Sequence, residues 1–321
     1  MSPDELTAQR LHWLETADIE IEGRMPWSSN ATLLCNLCVD GEQVGQAIYK
    51  PLAGERPLWD FEPGLHKREC AAYVLSDELG LHLVPPTVLR DGPAGEGSVQ
   101  WFVDADHQQH YFTIYEHRED LHPRLSEFAF FDFLANNTDR KSGHVLIDAD
   151  DQLWGIDHGL CFAADFKLRT VIWEFGGSDI PEELVQKAVA LAAEVPADLV
   201  ALLDADEVEA MQHRAEWIVA QRTSPSTPAA AATPGPSSNW LLGGIPARNA
   251  SRRNLRRKPS RIPPRTTPST HEGLEGLLGG IPATTASRRN LRRFPSRIPP
   301  GTMPVSAGGP RVAGGSGRSR G

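Results

Sequence analysis

The segment N-N-T-D-R-K-S-G-H-V-L-I-D, residues 136–148, followed by W-G-I-D-H-G, residues 154–159, decides the fold. The first segment follows an aromatic-rich helix and puts Asp139 on a loop, with His144 five residues later at the start of a predicted strand. The second ends an apolar strand with Asp157 before H-G. Each feature alone fits a polar turn or a strand end with a solvated carboxylate. Together they predict a cluster of ionisable groups beside two short strands.

The residues before this segment predict a small sheet. Asp40-Gly41 is typical of a two-residue hairpin because both residues tolerate positive φ, and Gly80 is typical of a helix end. Strands are predicted at 19–23, 32–39, 44–50, 87–90, 98–103, 144–148 and 152–157. Helices are predicted at 3–16, 65–79 and 124–136, with two more within 181–222.

This order of elements predicts an α+β fold with two lobes, a small antiparallel-sheet N-lobe and a mainly helical C-lobe. We place one domain at residues 1–222, with the N-lobe at about 17–103 and the C-lobe at about 106–222. Residues 223–321 are rich in Pro, Ser and Arg and predict a disordered basic tail. Within it, a 24-residue segment at 241–264 recurs at 277–300, and two copies are too few for a repeat fold.

Phosphoryl transfer requires a cation on the phosphates, a group that fixes this cation, metal ligands and a carboxylate near the acceptor hydroxyl. Lys50 ends the strand A-I-Y-K, as the phosphate-binding lysine does on the third strand of kinases. Glu69 lies on the next helix, where its carboxylate can pair with Lys50. Asp139 and His144 have the spacing of the catalytic Asp and metal-binding Asn of kinases, and Asp157 stands where D-F-G would.

With these residues, D-R-K-S-G-H-V-L-I followed by I-D-H-G resembles the D-R-H-x-x-N-I-L and I-D-F-G signature of the phosphatidylinositol 3- and 4-kinase superfamily. Residues 17–222 resemble more closely a group of small actinobacterial proteins assigned to that superfamily, without an established substrate. K-L-R-T-V-I-W downstream also carries the match. The resemblance implies a kinase-like, bilobal fold that binds ATP and Mg²⁺ or Mn²⁺.

The resemblance also implies a role for each matching position. Lys50 would contact the ATP phosphates and Glu69 would orient it. Asp157 would hold the metal, and Asp139 would accept or steer the acceptor proton. The turn of Ser28, Ser29 and Asn30 would cover the phosphates, and the strand Gln100 to Val103 would lead into the adenine-binding hinge.

Three departures from the superfamily pattern concern the metal and the catalytic loop. His144 replaces the metal-ligating Asn, Lys141 replaces a His, and His158 replaces the Phe of D-F-G. An imidazole suits softer ions than magnesium, so we expect a preference for manganese or weak catalysis. The alternatives to an active phosphotransferase are a nucleotide-binding pseudokinase that acts through a partner, and an AMP transferase.

The acceptor is expected to be a protein or a small molecule rather than a lipid. Residues 1–222 hold 16 Lys and Arg against 40 Asp and Glu, and such an acidic body disfavours an anionic membrane. Lys167 and Arg169 are candidates for contact with an anionic substrate, or they pair with the acidic surface. In the tail, the counts are 16 against 2, so nucleic-acid binding is one interpretation; a dispensable extension is the favoured one.

Cysteine usage and hydropathy indicate a reduced, cytoplasmic protein. Cys35 and Cys38 form one C-x-x-C without a second pair, so two thiols in a strand are favoured over a zinc site. The N-terminus lacks the basic and apolar regions of a signal peptide, and no apolar run approaches the length of a membrane span.

Overall fold

The computed structural model describes residues 2–25, 30–59, 61–106 and 108–226. Seven helices and seven strands occur in these ranges. The helices are α1 (Pro3–Thr16), α2 (Leu65–Glu78), α3 (Tyr111–His117), α4 (His122–Leu134), α5 (Glu182–Ala193), α6 (Ala197–Leu202) and α7 (Ala205–Gln221). The strands are β1 (Asp18–Arg24), β2 (Leu33–Val39), β3 (Glu42–Pro51), β4 (Thr87–Gly92), β5 (Gly95–Trp101), β6 (Val145–Ile147) and β7 (Leu153–Gly155).

The first five strands form one antiparallel sheet in the order β1-β2-β3-β5-β4. The turn between β2 and β3 consists of Asp40 and Gly41, whose φ angles are 52° and 81°, as the sequence predicted. Lys50 is the next-to-last residue of β3, where it pairs with Ser98 of β5. Its side chain therefore leaves the sheet at the edge that faces the rest of the chain.

Helix α1 packs on the sheet and forms a separate small core with it. Leu14 is fully buried with the inward residues of β2, and Trp13 stacks on Trp101 with 6.0 Å between the ring centroids. Arg90 of β4 donates to the carbonyls of Leu14 and Ala17, at 2.9 and 3.0 Å, which fixes the end of α1.

Helix α2 joins the larger core instead. Its residues Ala71, Ala72 and Leu75 are fully buried in a cluster formed with the helical part of the chain. The aromatic face of α4, which includes Phe128 and Phe131, lies at the centre of this cluster. Because α2 follows β3 in the chain but packs with the helices, it connects the sheet to the helical part.

The fold class predicted from the sequence is confirmed, since the described chain is α+β with an antiparallel sheet followed by a mainly helical region. Three local predictions were wrong. The region 181–222 contains three helices rather than two, and helix α3 was not predicted. His144 ends a 3₁₀ turn, Ser142–His144, rather than starting a strand, because β6 begins only at Val145.

Candidate active site

Lys50 meets carboxylates from two other parts of the chain. Its Nζ lies 2.5 Å from Oε1 of Glu69 on α2 and 2.9 Å from Oδ1 of Asp157, which follows β7. Burial by itself lowers the pKa of the Lys50 ammonium, but the charges of Asp157 and Glu69 outweigh it and raise the pKa above its ordinary value. The charge of Lys50, opposed by burial, holds the pKa of Asp157 well below its usual range. Lys50 and Asp157 are therefore both charged at neutral pH.

Glu69 also fixes the chain directly after Asp157. Its Oε2 accepts a hydrogen bond of 2.9 Å from the backbone N–H of His158, while Oε1 holds Lys50. The glycine that follows permits this approach, because a methyl group at Gly159 would lie only 3.2 Å from Oε1 of Glu69. One carboxylate from α2 thus orients both the ammonium and the Asp157 loop.

Asp157 has a φ angle of 64°, a left-handed conformation that is uncommon outside glycine. Its carboxylate is about 50% exposed and points one oxygen at Lys50 and the other at His144, whose Nε2 is 3.5 Å from Oδ2. Aspartate is one of the few non-glycine residue types that adopt this conformation readily, so the turn places the carboxylate between Lys50 and His144 at little cost.

Asp139 lies on the loop after α4, where Asn137 supports it. The backbone N–H of Asp139 donates to Oδ1 of Asn137 at 3.0 Å. The carboxylate of Asp139 is 29% exposed and pairs with the exposed ammonium of Lys141 at 2.7 Å. Asp139 also acts electrostatically on the imidazole of His144, and His144 in turn faces Asp157. His144 therefore lies between the predicted loop residue Asp139, which influences it electrostatically, and Asp157, which it faces.

Arg140, which the sequence analysis missed, fixes the Asp139 loop through buried hydrogen bonds. Arg140 is 2% exposed, and its Nε and Nη2 both donate to Oδ1 of the fully buried Asp132 on α4, at 3.1 and 2.8 Å. Asn137 and Thr170 also donate to the Asp132 carboxylate. The available signal was Asp132 itself, because a carboxylate inside the apolar run F-A-F-F-D-F-L requires a buried partner.

Arg140 reaches the second loop as well. Its Nη2 donates to Nε2 of His158 at 2.8 Å, and its Nη1 lies 3.3 Å from the carbonyls of His144 and Ile156. A guanidinium has only donors, so the imidazole of His158 is neutral and accepts at Nε2. Burial, followed by the charge of Arg140, lowers the pKa of His158 well below its usual value. His158 therefore ties the Asp157 loop to the Asp139 loop by a polar contact.

A divalent metal would find two of its ligands in Asp157 and His144. Burial lowers the pKa of His144, so this imidazole is neutral and able to ligate. In the ranges that the structure describes, no group of three or more His, Cys, Asp or Glu side chains is arranged to hold a metal. Two protein ligands nevertheless fit an ion shared with a nucleotide, because Mg²⁺ in such sites is completed by phosphate oxygens and waters.

The predicted nucleotide contacts outside this cluster are placed as follows. Val103 follows β5 in an extended connection, and no backbone hydrogen bond of its N–H is found within the described chain. The side-chain oxygen of Asn30 accepts from the backbone N–H of Arg56 at 3.2 Å. Ser28 and Ser29 lie outside the described residues. The role of this turn therefore stays a prediction.

Lys167 and Arg169 lie on the connection after the Asp157 loop. The backbone N–H of Lys167 donates to Asn136 at 2.9 Å, and its ammonium lies 5.1 Å from the ring centroid of Phe61. Arg169 is exposed, and its carbonyl accepts from the backbone N–H of Arg140 at 3.0 Å. Their backbones contact the Asp139 loop and the residue before it, and the substrate contacts suggested for their side chains stay a prediction.

Cys35 and Cys38 are buried free thiols on β2. Burial, and then the charge of Glu22, raises the pKa of the Cys35 thiol to about 12, so it does not ionise near neutral pH. The Cys35 thiol thus has the character of a small buried side chain, and the choice between plain thiols and a zinc site stays a prediction.

The described chain has the element order expected of a kinase-like fold. A lysine near the end of the third strand, its glutamate partner on the next helix and an aspartate after a later strand pair converge as they do in kinases. The chain belongs to the family of protein Rv2133c from Mycobacterium tuberculosis, which is 36% identical over 251 residues, covering 66% of this chain and 89% of that protein. No family model matches the chain.

Three solved structures illustrate the likeness of this chain to known folds, and two of them are named as kinases. The Golgi casein kinase with Mn/ADP bound is 16% identical, covers 68% of this chain and 75% of its own, and gives a TM-score of 0.47. Hydra Fam20 with sugar is 15% identical over 68% of this chain and 88% of its own, with a TM-score of 0.46. The Helicobacter pylori proinflammatory kinase CtkA is 13% identical, and the match covers 68% of this chain and 97% of that kinase, with a TM-score of 0.38. These scores are low, and no site residue is assigned from them.

Among the described helices, none combines the length and the apolar character needed to cross a bilayer.

Proposed function

We propose that the chain is an ATP-dependent phosphotransferase that uses a divalent metal. The observation that carries the proposal is the ammonium of Lys50, held 2.5 Å from Glu69 and 2.9 Å from Asp157. A fixed, fully charged cation beside a half-exposed carboxylate suits a polyphosphate with its metal, since each needs the opposite charge nearby.

The residues have separate tasks in this proposal. Lys50 would bind the phosphates of ATP, with Glu69 limiting its motion. The free backbone N–H of Val103 would donate to the adenine edge. Asp157 and His144 would hold Mg²⁺ or Mn²⁺, which when bound neutralises charge on the phosphates.

Asp139 is the residue for the acceptor side. An acceptor hydroxyl oxygen would form a bond to the γ-phosphorus while the bond from that phosphorus to the ADP oxygen breaks, and the hydroxyl proton would pass to Asp139. Lys141, 2.7 Å from this carboxylate in the free protein, would have to move or share it. We place the protein with the phosphatidylinositol 3- and 4-kinase-like superfamily, with a protein or small-molecule acceptor favoured by the acidic body.

A second candidate function is nucleotide binding without transfer. The ion pair between Lys141 and Asp139 favours it, because an ammonium that already contacts this carboxylate competes with an acceptor hydroxyl for the same oxygens. Transfer of AMP in place of phosphate would also use Lys50 and Asp157.

Labelled ATP separates these functions. The purified full chain is incubated with ATP labelled at the γ or the α position, with Mn²⁺ or Mg²⁺, and with a cell extract as the source of acceptors. Transfer of γ label that is lost in Asp157→Ala supports the proposal. Transfer of α label supports an AMP transferase. Tight ATP binding without transfer supports the second candidate, and activity equal in Asp157→Ala and the wild type would refute the site.

A further inference from the structure

The Lys50–Glu69 pair depends on the position of helix α2. The residue before Glu69 on this helix, Arg68, contacts a residue that is distant in the sequence. Arg68 is only 5% exposed, and its Nε and Nη2 donate to Oε1 of Glu207 on α7, at 3.0 and 2.6 Å. The two residues are 139 positions apart. Because Arg68 and Glu69 are adjacent, a contact that fixes one also fixes the direction of the other.

Glu207 is itself held at the start of α7. Its Oε2 accepts from the backbone N–H of Asp204 at 3.1 Å, and the Asp204 side chain accepts in return, so the two form a capping box. The anchor for Arg68 is therefore part of a helix terminus and not a mobile surface group.

Cavities flank the ion pair on both sides. One of about 290 Å³ is lined by residues that include His66, Glu96 and Leu203, and one of about 300 Å³ by residues that include Phe61 and Lys167. Arg68 and Glu207 line both cavities. At this turn of α2, the ion pair joins the helix to α7, whereas the residues of α2 that belong to the larger apolar core begin further along, at Ala71.

We infer that the Arg68–Glu207 ion pair is a positioning device that holds α2 where Glu69 reaches Lys50. This deepens the proposed function, on which it rests, because it names how the site is kept in its binding-competent arrangement. The last helix of the described residues, α7, performs this task within the same chain.

The kinetic test uses the full chain with Arg68→Met, Arg68→Lys and Glu207→Gln, which keeps an oxygen for the cap of α7. The matched control is Lys67→Met, an exposed cation on the same helix. We expect Arg68→Met and Glu207→Gln to lower kcat/KM for ATP by about 100-fold, since small displacements of positioning groups have effects of this size. Arg68→Lys, which keeps the charge but not the paired donors, should recover part of the loss, and Lys67→Met should change it less than about twofold.

A double-mutant cycle of Arg68→Met with Glu69→Gln distinguishes a positioning role of Arg68 from a general contribution to stability. If Arg68 acts through Glu69, Arg68→Met should lower kcat/KM by less than about twofold in the Glu69→Gln background, because the contact it positions is already lost. An equal loss in both backgrounds would overturn the inference.

A crystal structure of Arg68→Met tests the device independently of activity. The inference expects Nζ of Lys50 and Oε1 of Glu69 to separate beyond the 2.5 Å of the wild type, to more than about 4 Å, with the sheet unchanged. A structure in which that pair stays intact would refute the device even if phosphotransfer is established. If the chain transfers no phosphate, the proposed function fails. The distance between Nζ of Lys50 and Oε1 of Glu69 in Arg68→Met still decides the role of Arg68.

Discussion

Replacing Arg140 with methionine should destabilise the fold far more than the loss of a surface charge. In the wild type, three contacts of 3.1, 3.1 and 2.8 Å join the guanidinium to the carboxylate of Asp132, and both side chains have no exposed area. Methionine fills much of the same volume but donates no hydrogen bond. Asp132 would keep only its donors Asn137, at 2.9 Å, and Thr170, at 3.0 Å.

The size of the expected loss in the free energy of unfolding follows from the Asp132 carboxylate, which would stay buried without its countercharge. Removal of one partner of a buried ion pair costs about 3–5 kcal/mol, out of a total stability of about 5–15 kcal/mol for a typical domain. With an m value near 3 kcal/mol per molar urea, the unfolding midpoint should fall by more than about 1 M.

The assay is urea unfolding of the full chain, followed by tryptophan fluorescence at neutral pH. Arg118→Met is the matched control, because Arg118 pairs with Asp120 and Asp151 at the surface, where solvent screens the charges, and its loss should leave the unfolding midpoint almost unchanged. Adding Asp132→Asn to Arg140→Met removes the unpaired charge and should recover at least about 1 kcal/mol. A cost for Arg140→Met within about 1 kcal/mol of the control would contradict the reasoning.

Three further predictions concern the phosphate, metal and pH dependence. Lys50→Met should weaken ATP binding by at least about tenfold in calorimetry, because the phosphates lose a charge-assisted contact; unchanged affinity would contradict the site. His144→Asn should raise the ratio of kcat/KM with Mg²⁺ to that with Mn²⁺, since an amide oxygen is the harder ligand, and an unchanged ratio would exclude His144 as a ligand. His66 is buried between Glu55 and Glu96, at 2.7 and 3.0 Å; although burial lowers its pKa, hydrogen bonds to these carboxylates raise it above 6.5. The contribution of His66 to stability should be complete below its pKa in the unfolded chain and should be lost as the pH rises through its pKa in the folded chain. His66→Gln should therefore flatten the change in urea midpoint between about pH 6 and 9. A pH profile that the substitution does not flatten would contradict the assignment.

Much of the fold was predictable because its local signals are strong. Asp40-Gly41 and Gly80 adopt the positive φ angles that their residue types favour, and these turns set the ends of β2, β3 and α2. Helices α3 and α6 have only seven and six residues. Elements of fewer than two full turns give too few apolar positions for a helical period to be recognised.

The site was predictable to the extent that it follows the order of elements. Lys50 lies near the end of β3, Glu69 lies in the first turns of α2 and Asp157 follows β7 by two residues, so their convergence follows once the sheet and helices are placed. Arg140 and Asp132 were not predicted as a pair, because charged residues are seldom fully buried and sequence spacing does not reveal depth. The same holds for Arg68 and Glu207, whose contact requires knowledge of how α7 packs.

The most direct test of the central claim is a crystal structure of the full chain with a non-hydrolysable ATP analogue and Mn²⁺. The proposed site predicts phosphate oxygens within about 3 Å of Nζ of Lys50, and the metal in contact with both Asp157 and His144. A nucleotide bound elsewhere, or a metal that touches neither residue, would contradict it.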